Sequence, residues 1–159
     1  MRRRSRCRGA TLLVTLLLLG ILALLGVSAL RSAALDLAMS GNEQYRARAL
    51  QAAEAGIVAA SVALRMTPAG TVPPALASQP LPGMSGDEWS YAVHDIGDDP
   101  ATLAASGGAL SGQHYTIESI GRSWRGAAVQ LAAGVRVVRD AGGTTLAVEP
   151  WYWQRRDVE

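Results

Sequence analysis

The chain contains no phenylalanine and no lysine, a single cysteine and only two histidines. All 15 of its cationic side chains are therefore arginines, a bias from which no function follows. A lone Cys7 cannot close an intramolecular disulfide, and it precedes the apolar run instead of following it, so it is not placed as a lipoprotein cysteine. With His94 and His114 alone, no HExxH zinc motif is present. There is also no P-loop, no GxGxxG after a strand and no Ser-His-Asp spacing. Ser123, between Arg122 and Arg125, reads as a turn residue and not as a nucleophile. These absences remove the usual routes to catalysis, and the expectation is a protein without enzymatic activity, cofactor or bound metal.

Two further absences are local and shape the fold. No charged residue interrupts residues 10–30, ATLLVTLLLLGILALLGVSAL, and no proline interrupts residues 31–66. About 20 apolar residues suffice to cross a hydrocarbon core ~30 Å thick as a helix. The preceding MRRRSRCRG carries five arginines, which predicts a cytoplasmic N-terminus and an exported remainder. A secretory signal has a shorter apolar region of ~7–15 residues, and it has no reason to continue into a helical pattern. From residue 31 onward 10 arginines face 13 acidic residues, so the exported part is slightly acidic and has no basic footprint for nucleic acid.

Past the apolar run the helical signal persists. Leu50, Ala53, Ile57, Ala60 and Leu64 form one apolar face, flanked by a stripe of small residues at Ala49, Ala52, Gly56, Ala59 and Ala63. One helix is expected from about Ala10 to Met66, roughly 85 Å at 1.5 Å per residue, with Ser40-Gly41-Asn42 as its weakest point. Five of the seven prolines then fall in Thr67 to Pro82, which predicts a loop. Beyond it the period becomes two. Trp89, Tyr91 and Val93 alternate with polar or small residues, as do Tyr115 and Ile117, and so does the run Val129, Leu131, Ala133, Val135, Val137. Leu146 and Val148 open a last strand that Pro150 is expected to interrupt. The expected fold class is α+β: a long N-terminal helix packed on a three- to four-stranded antiparallel sheet, the 50–64 face covering the sheet's apolar side. The expected divisions are a basic leader (1–9), a membrane helix (10–30), its amphipathic extension (31–66), a Pro-rich loop (67–86) and a periplasmic sheet (87–159).

The polar clusters are read conservatively. His94 and His114 alternate to the solvent side of their strands. Asp95, Asp98 and Asp99 in DIGDDP read as an acidic turn, because the EF-hand spacing that would gather calcium ligands is absent. Trp151, Tyr152 and Trp153 are adjacent, so at least one faces outward. With Arg155 close behind, Trp151 and Trp153 are the expected partner contact, since aromatics and arginine dominate protein interfaces.

Three stretches carry a family resemblance: Arg8-Gly9 ahead of the apolar run, ALRSAALDLAMSGN at 29–42, and RALQAAEAGI at 48–57. Together they resemble the N-terminal region of PilX-type minor pilins, within the type IV pilin plan. The resemblance implies cleavage by a prepilin peptidase after Gly9 and an N-methylated Ala10 as the new N-terminus. It also marks a departure: the fifth mature position, glutamate in most pilins, is Val14 here. The implied role is assembly of a priming or tip complex, with other minor pilins, a tip adhesin, the major pilin, prepilin peptidase and inner-membrane lipid as partners. The alternatives are a minor pseudopilin of type II secretion and a single-pass periplasmic binding or sensor domain.

Overall fold

The computed structural model describes residues 8–156. Its chain divides after Asn42 into two units, each considered by itself.

Helix α1 spans Arg8–Met66. The helical assignment continues unbroken through Ser40, Gly41 and Asn42, where the sequence is weakest. In the first unit the side chains from Thr11 to Ser40 are all exposed. The best 18-residue window has a mean hydropathy of 2.7, so the helix is long and apolar enough to cross a membrane. The hydroxyl of Thr15 donates back to the carbonyls of Thr11 and Leu12, each at 2.9 Å. That internal bond removes a polar group that hydrocarbon would penalise.

The second unit begins at Glu43 and packs the remainder of α1 on an antiparallel sheet. The strands are β1 (Leu76–Pro80), β2 (Glu88–Asp98), β3 (Leu110–Arg122), β4 (Ala128–Asp140) and β5 (Thr145–Arg156). They lie in the order β1-β2-β3-β4-β5, each antiparallel to its neighbour. A short helix α2 (Pro100–Ala105) links β2 to β3. The fold is thus the α+β, pilin-like arrangement, with five strands where three or four were expected.

The extra strand comes from the Pro-rich segment. β1 is an edge strand of five residues, paired irregularly as Leu76↔Tyr91 and Gln79↔Trp89. An edge tolerates proline because a missing N–H on its outer side breaks no ladder. Pro150 is likewise no interruption. β5 runs through it at the other edge, with a register shift that leaves Trp151 without a partner opposite Gly134 and Val135. A bulge at a sheet edge absorbs a residue that a regular ladder could not.

The core is formed where α1 meets the inner face of the sheet. Ala53, Ile57, Ala60 and Leu64 are buried there, and Leu50 packs against the rim. The small stripe makes the tightest contact. A Cβ on Gly121 of β3 would overlap the Ala49 carbonyl and the Ala53 amide, and a Cβ on Gly56 would overlap the Ser119 hydroxyl. Helix and strand backbones therefore nearly touch, a distance that only Gly and Ala permit. α1 ends where Thr67 Oγ1 accepts the role of last-turn donor, bonding the Ala63 carbonyl at 2.7 Å, and Pro68 prevents continuation.

Candidate interaction surfaces

The expected leader falls largely outside the described residues. Residues 1–7, with Cys7, lie beyond them, and at Gly9 and Ala10 only the helical backbone is described. Val14 lies exposed on α1.

On the outer face of the sheet, a row of paired residues runs across four strands: Gly97, His114, Arg136 and Glu149. Arg136 is bonded to the Glu149 carboxylate and has Asp99 Oδ2 at 3.7 Å. His114 Nε2 stands at the same distance from that oxygen. Asp99 is fixed by local chemistry. It caps α2, its Oδ1 accepting from the Ala101 amide at 3.0 Å and its Oδ2 from the Thr102 hydroxyl at 2.6 Å. Pro100 then occupies the first helical turn, where its missing N–H costs nothing. The Thr102 hydrogen bond, with the backbone amides and His114 in support and burial opposing, holds the Asp99 carboxyl below its ordinary range. The bond to Glu149 and that carboxylate's charge raise the Arg136 guanidinium further. Among the described residues, no group of three or more His, Cys, Asp or Glu is placed to hold a metal ion. Asp95 instead accepts from the Gly97 amide at 2.9 Å, closing a local turn.

The three consecutive aromatics part company. Trp153 pairs with Ala133 and turns to the helix side, where it lines a groove against α1. Trp151 and Tyr152 both lie over the outer face, because the bulge shifts the alternation by one. Their rings meet edge-on at 4.9 Å, and Trp151 meets His114 at 5.3 Å. A Cβ on Gly134 would strike both, which is why β4 is bare at that point. Trp151, Trp153 and Arg155 are all exposed. Arg156 instead bonds the Glu118 carboxylate at 2.8 Å.

Two polar residues buried inside the second unit, Arg139 and Asp87, are not among the expectations from the sequence. Arg139 is almost fully buried. It donates to Gln113 Oε1 at 3.1 Å and to the Thr67 carbonyl at 3.4 Å, just past the C-terminal end of α1, where a cation is favoured. Its signal was present, since it occupies the next inward position after Val135 and Val137. Asp87 and Ser123 are buried together, the Ser123 hydroxyl donating to Asp87 Oδ1. That bond commits Ser123 to structure.

Among the described residues, the large exposed apolar side chains include those along the first unit of α1 and Trp151 and Trp153 of β5. A family model described as PilX N-terminal matches residues 8–58, about a third of the chain. No curated protein and no solved structure matches it. The matched segment covers the apolar half of α1 and the turns that first engage the sheet, so it is the N-terminal segment of the chain that is similar to PilX-type type IV pilins.

Proposed function

We propose that the protein is a minor pilin that takes part in assembling a type IV pilus, in a priming or tip complex, and performs no catalysis. It waits in the inner membrane with residues 10–30 spanning the bilayer, its N-terminus cytoplasmic and its sheet periplasmic. Cleavage after Gly9 then leaves Ala10 as a methylated N-terminus. Partners are other minor pilins, a tip adhesin and the major pilin. Trp153 and Arg155 on the inner face of β5, and Trp151 on its outer face, are the contacting residues.

The observation that carries the reading is the family match over residues 8–58, which takes in the residues at the cleavage position. Val14 supports the tip position. Most pilins carry a glutamate there that neutralises the terminal ammonium of an adjacent subunit, and a buried unpaired charge is expensive. A subunit with Val14 has no carboxylate to offer, and at the tip no amine lies ahead of it. The same missing acid favours one alternative, a minor pseudopilin of type II secretion. Neighbouring genes for a tip adhesin or for a secretin and secretion ATPase discriminate between the two.

Intact-mass measurement of membrane-extracted protein tests the reading. Loss of residues 1–9 with one added methyl group is expected. Retention of the leader would point to a single-pass sensor or binding domain. Val14→Glu is expected to alter incorporation, and normal assembly with unchanged partners would remove the argument for the tip.

A further inference from the structure

On the inner side of the sheet, α1 does not reach across β5. The gap is a half-open groove of about 260 Å³. Val58, Val62 and Arg65 of α1 form one wall, and Val148, Pro150 and Trp153 of β5 form the other. Val58, Val62 and Trp153 are 61%, 51% and 53% exposed, well above what a residue in a finished core shows. Ser61 also lines the groove, but its hydroxyl is spent on the Ile57 carbonyl at 2.9 Å. Arg65 is the only charged residue among the described residues that line the groove, the Trp153 indole N–H being a second donor there, and no carboxylate lies among them. Arg155 follows Trp153 by two residues, so it projects from the same face of β5.

This pattern selects an occupant. A slot walled by branched aliphatics and an indole takes a bulky apolar side chain. Arginines at Arg65 and Arg155 favour an acidic neighbour over a basic one. The backbone of β5 is a poor template for strand addition beside the slot, because Pro150 lacks an N–H and the register breaks at Trp151. Recognition therefore runs through side chains. We infer that the groove between α1 and β5 receives a segment of a partner protein that presents a bulky apolar side chain flanked by carboxylates. This inference rests on the proposed role as an assembly subunit, and it names the chemistry of the contact.

The test uses the full chain in nanodiscs of zwitterionic lipid and reads the indole N–H resonance of Trp153, assigned with Trp153→Phe. Three blocked heptapeptides serve as probes: two leucines flanked by aspartates, the same leucines flanked by lysines, and serines in place of the leucines. The aspartate peptide is expected to shift the resonance saturably and to bind about tenfold more tightly than the lysine peptide. The serine peptide is expected to leave it unmoved. Arg65→Glu should reverse the order of the two charged peptides, and Val62→Asp should abolish both shifts while circular dichroism stays unchanged. Equal binding of the charged peptides, or a preference that Arg65→Glu does not move, overturns the proposal. So does decanoate saturating the slot and excluding the peptides, which makes it a lipid site. Leader loss is scored on the same preparation by mass, so a failure of the pilin assembly reading is seen separately from a failure of the groove.

Discussion

One helix serves two units of this chain under opposite rules. In the first unit α1 is lined on every side by leucine, isoleucine and valine, all exposed. In the second, α1 buries alanines and glycine against a sheet, and its large residues Ile57 and Leu64 fill the spaces between strands. A helix that is apolar all round finds its cover outside its own chain, in lipid or in neighbouring subunits. A helix with small residues along one stripe carries its own cover and approaches it to backbone distance. Large side chains maximise contact with a fluid or variable surrounding, whereas small ones fix one geometry with one partner. The difference predicts where substitutions will matter for folding and where they will matter only for assembly.

The sharpest way to break this comparison is to place the same side chain in both units. Gly121→Val drives a branched side chain into the backbone of α1 at Ala49 and Ala53, which cannot step aside without moving the whole helix. A loss of about 4 kcal/mol or more is expected for the sheet domain, read by denaturant unfolding in detergent with near-ultraviolet circular dichroism. Gly20→Val, where no atom lies within 4 Å, is expected to leave that transition within about 0.5 kcal/mol. If both changes were silent, the close approach in the second unit would not be a determinant of its stability. Leucine truncation gives the next largest contrast. Leu64→Ala empties a fully buried site and is expected to cost about 3 kcal/mol, while Leu17→Ala removes an exposed side chain and should leave the head's unfolding midpoint in place.

The two faces of the sheet extend the comparison at smaller magnitude. Gly134→Ala adds one methyl group against the rings of Tyr152 and Trp151, which are side chains at an edge and can move. A cost of about 1 kcal/mol is expected, together with a change in tryptophan fluorescence as Trp151 leaves His114. An unchanged spectrum would mean that the bulged aromatics are not seated on Gly134.

Which of these features the sequence announces depends on whether a residue obeys the period of its element. The 10–66 helix is legible because charge is missing from one stretch and proline from the next. β2, β3 and β4 are legible because Tyr91 and Val93, Tyr115 and Ile117, and Val129 to Val137 alternate cleanly. β1 is hidden, since proline density argues against a strand, and only an edge location makes Leu76–Pro80 permissible. β5 is half hidden for the same reason at Pro150. Arg139 sits at an inward position in phase with the valines before it, yet arginine reads as a surface residue until the Thr67 carbonyl is brought beside it. The groove could not be read, because its α1 wall at Val58 and Val62 and its β5 wall at Trp153 lie about 90 residues apart in the chain. α2 has a start signal in the sequence, since Asp99-Pro100 is an N-cap followed by a first-turn proline, but the acidic cluster around it masks that signal.

The smallest expected effect concerns that cap. The Asp99 carboxyl titrates below its ordinary value of 3.8, chiefly because the Thr102 hydroxyl bonds its charged form. A carboxyl depressed in the folded state contributes stability that is complete above the unfolded value and is lost as pH falls through the folded one. Amide exchange at Ala101 and Thr102 should therefore be protected at neutral pH and remain so until the medium is more acidic than 3.8, then rise as the cap protonates. Asp99→Asn keeps an acceptor for the amide but removes the charge, so exchange there should be faster at neutral pH and indifferent to acid. The exposed residues of the first unit have no such carboxylate-held turn, and their exchange in detergent should follow the micelle instead. If wild type and Asp99→Asn gave the same profile, the charge on Asp99 would not be what keeps the first turn of α2 closed, and the tight packing of Asp99 and Thr102 on Gly112 would be sufficient alone.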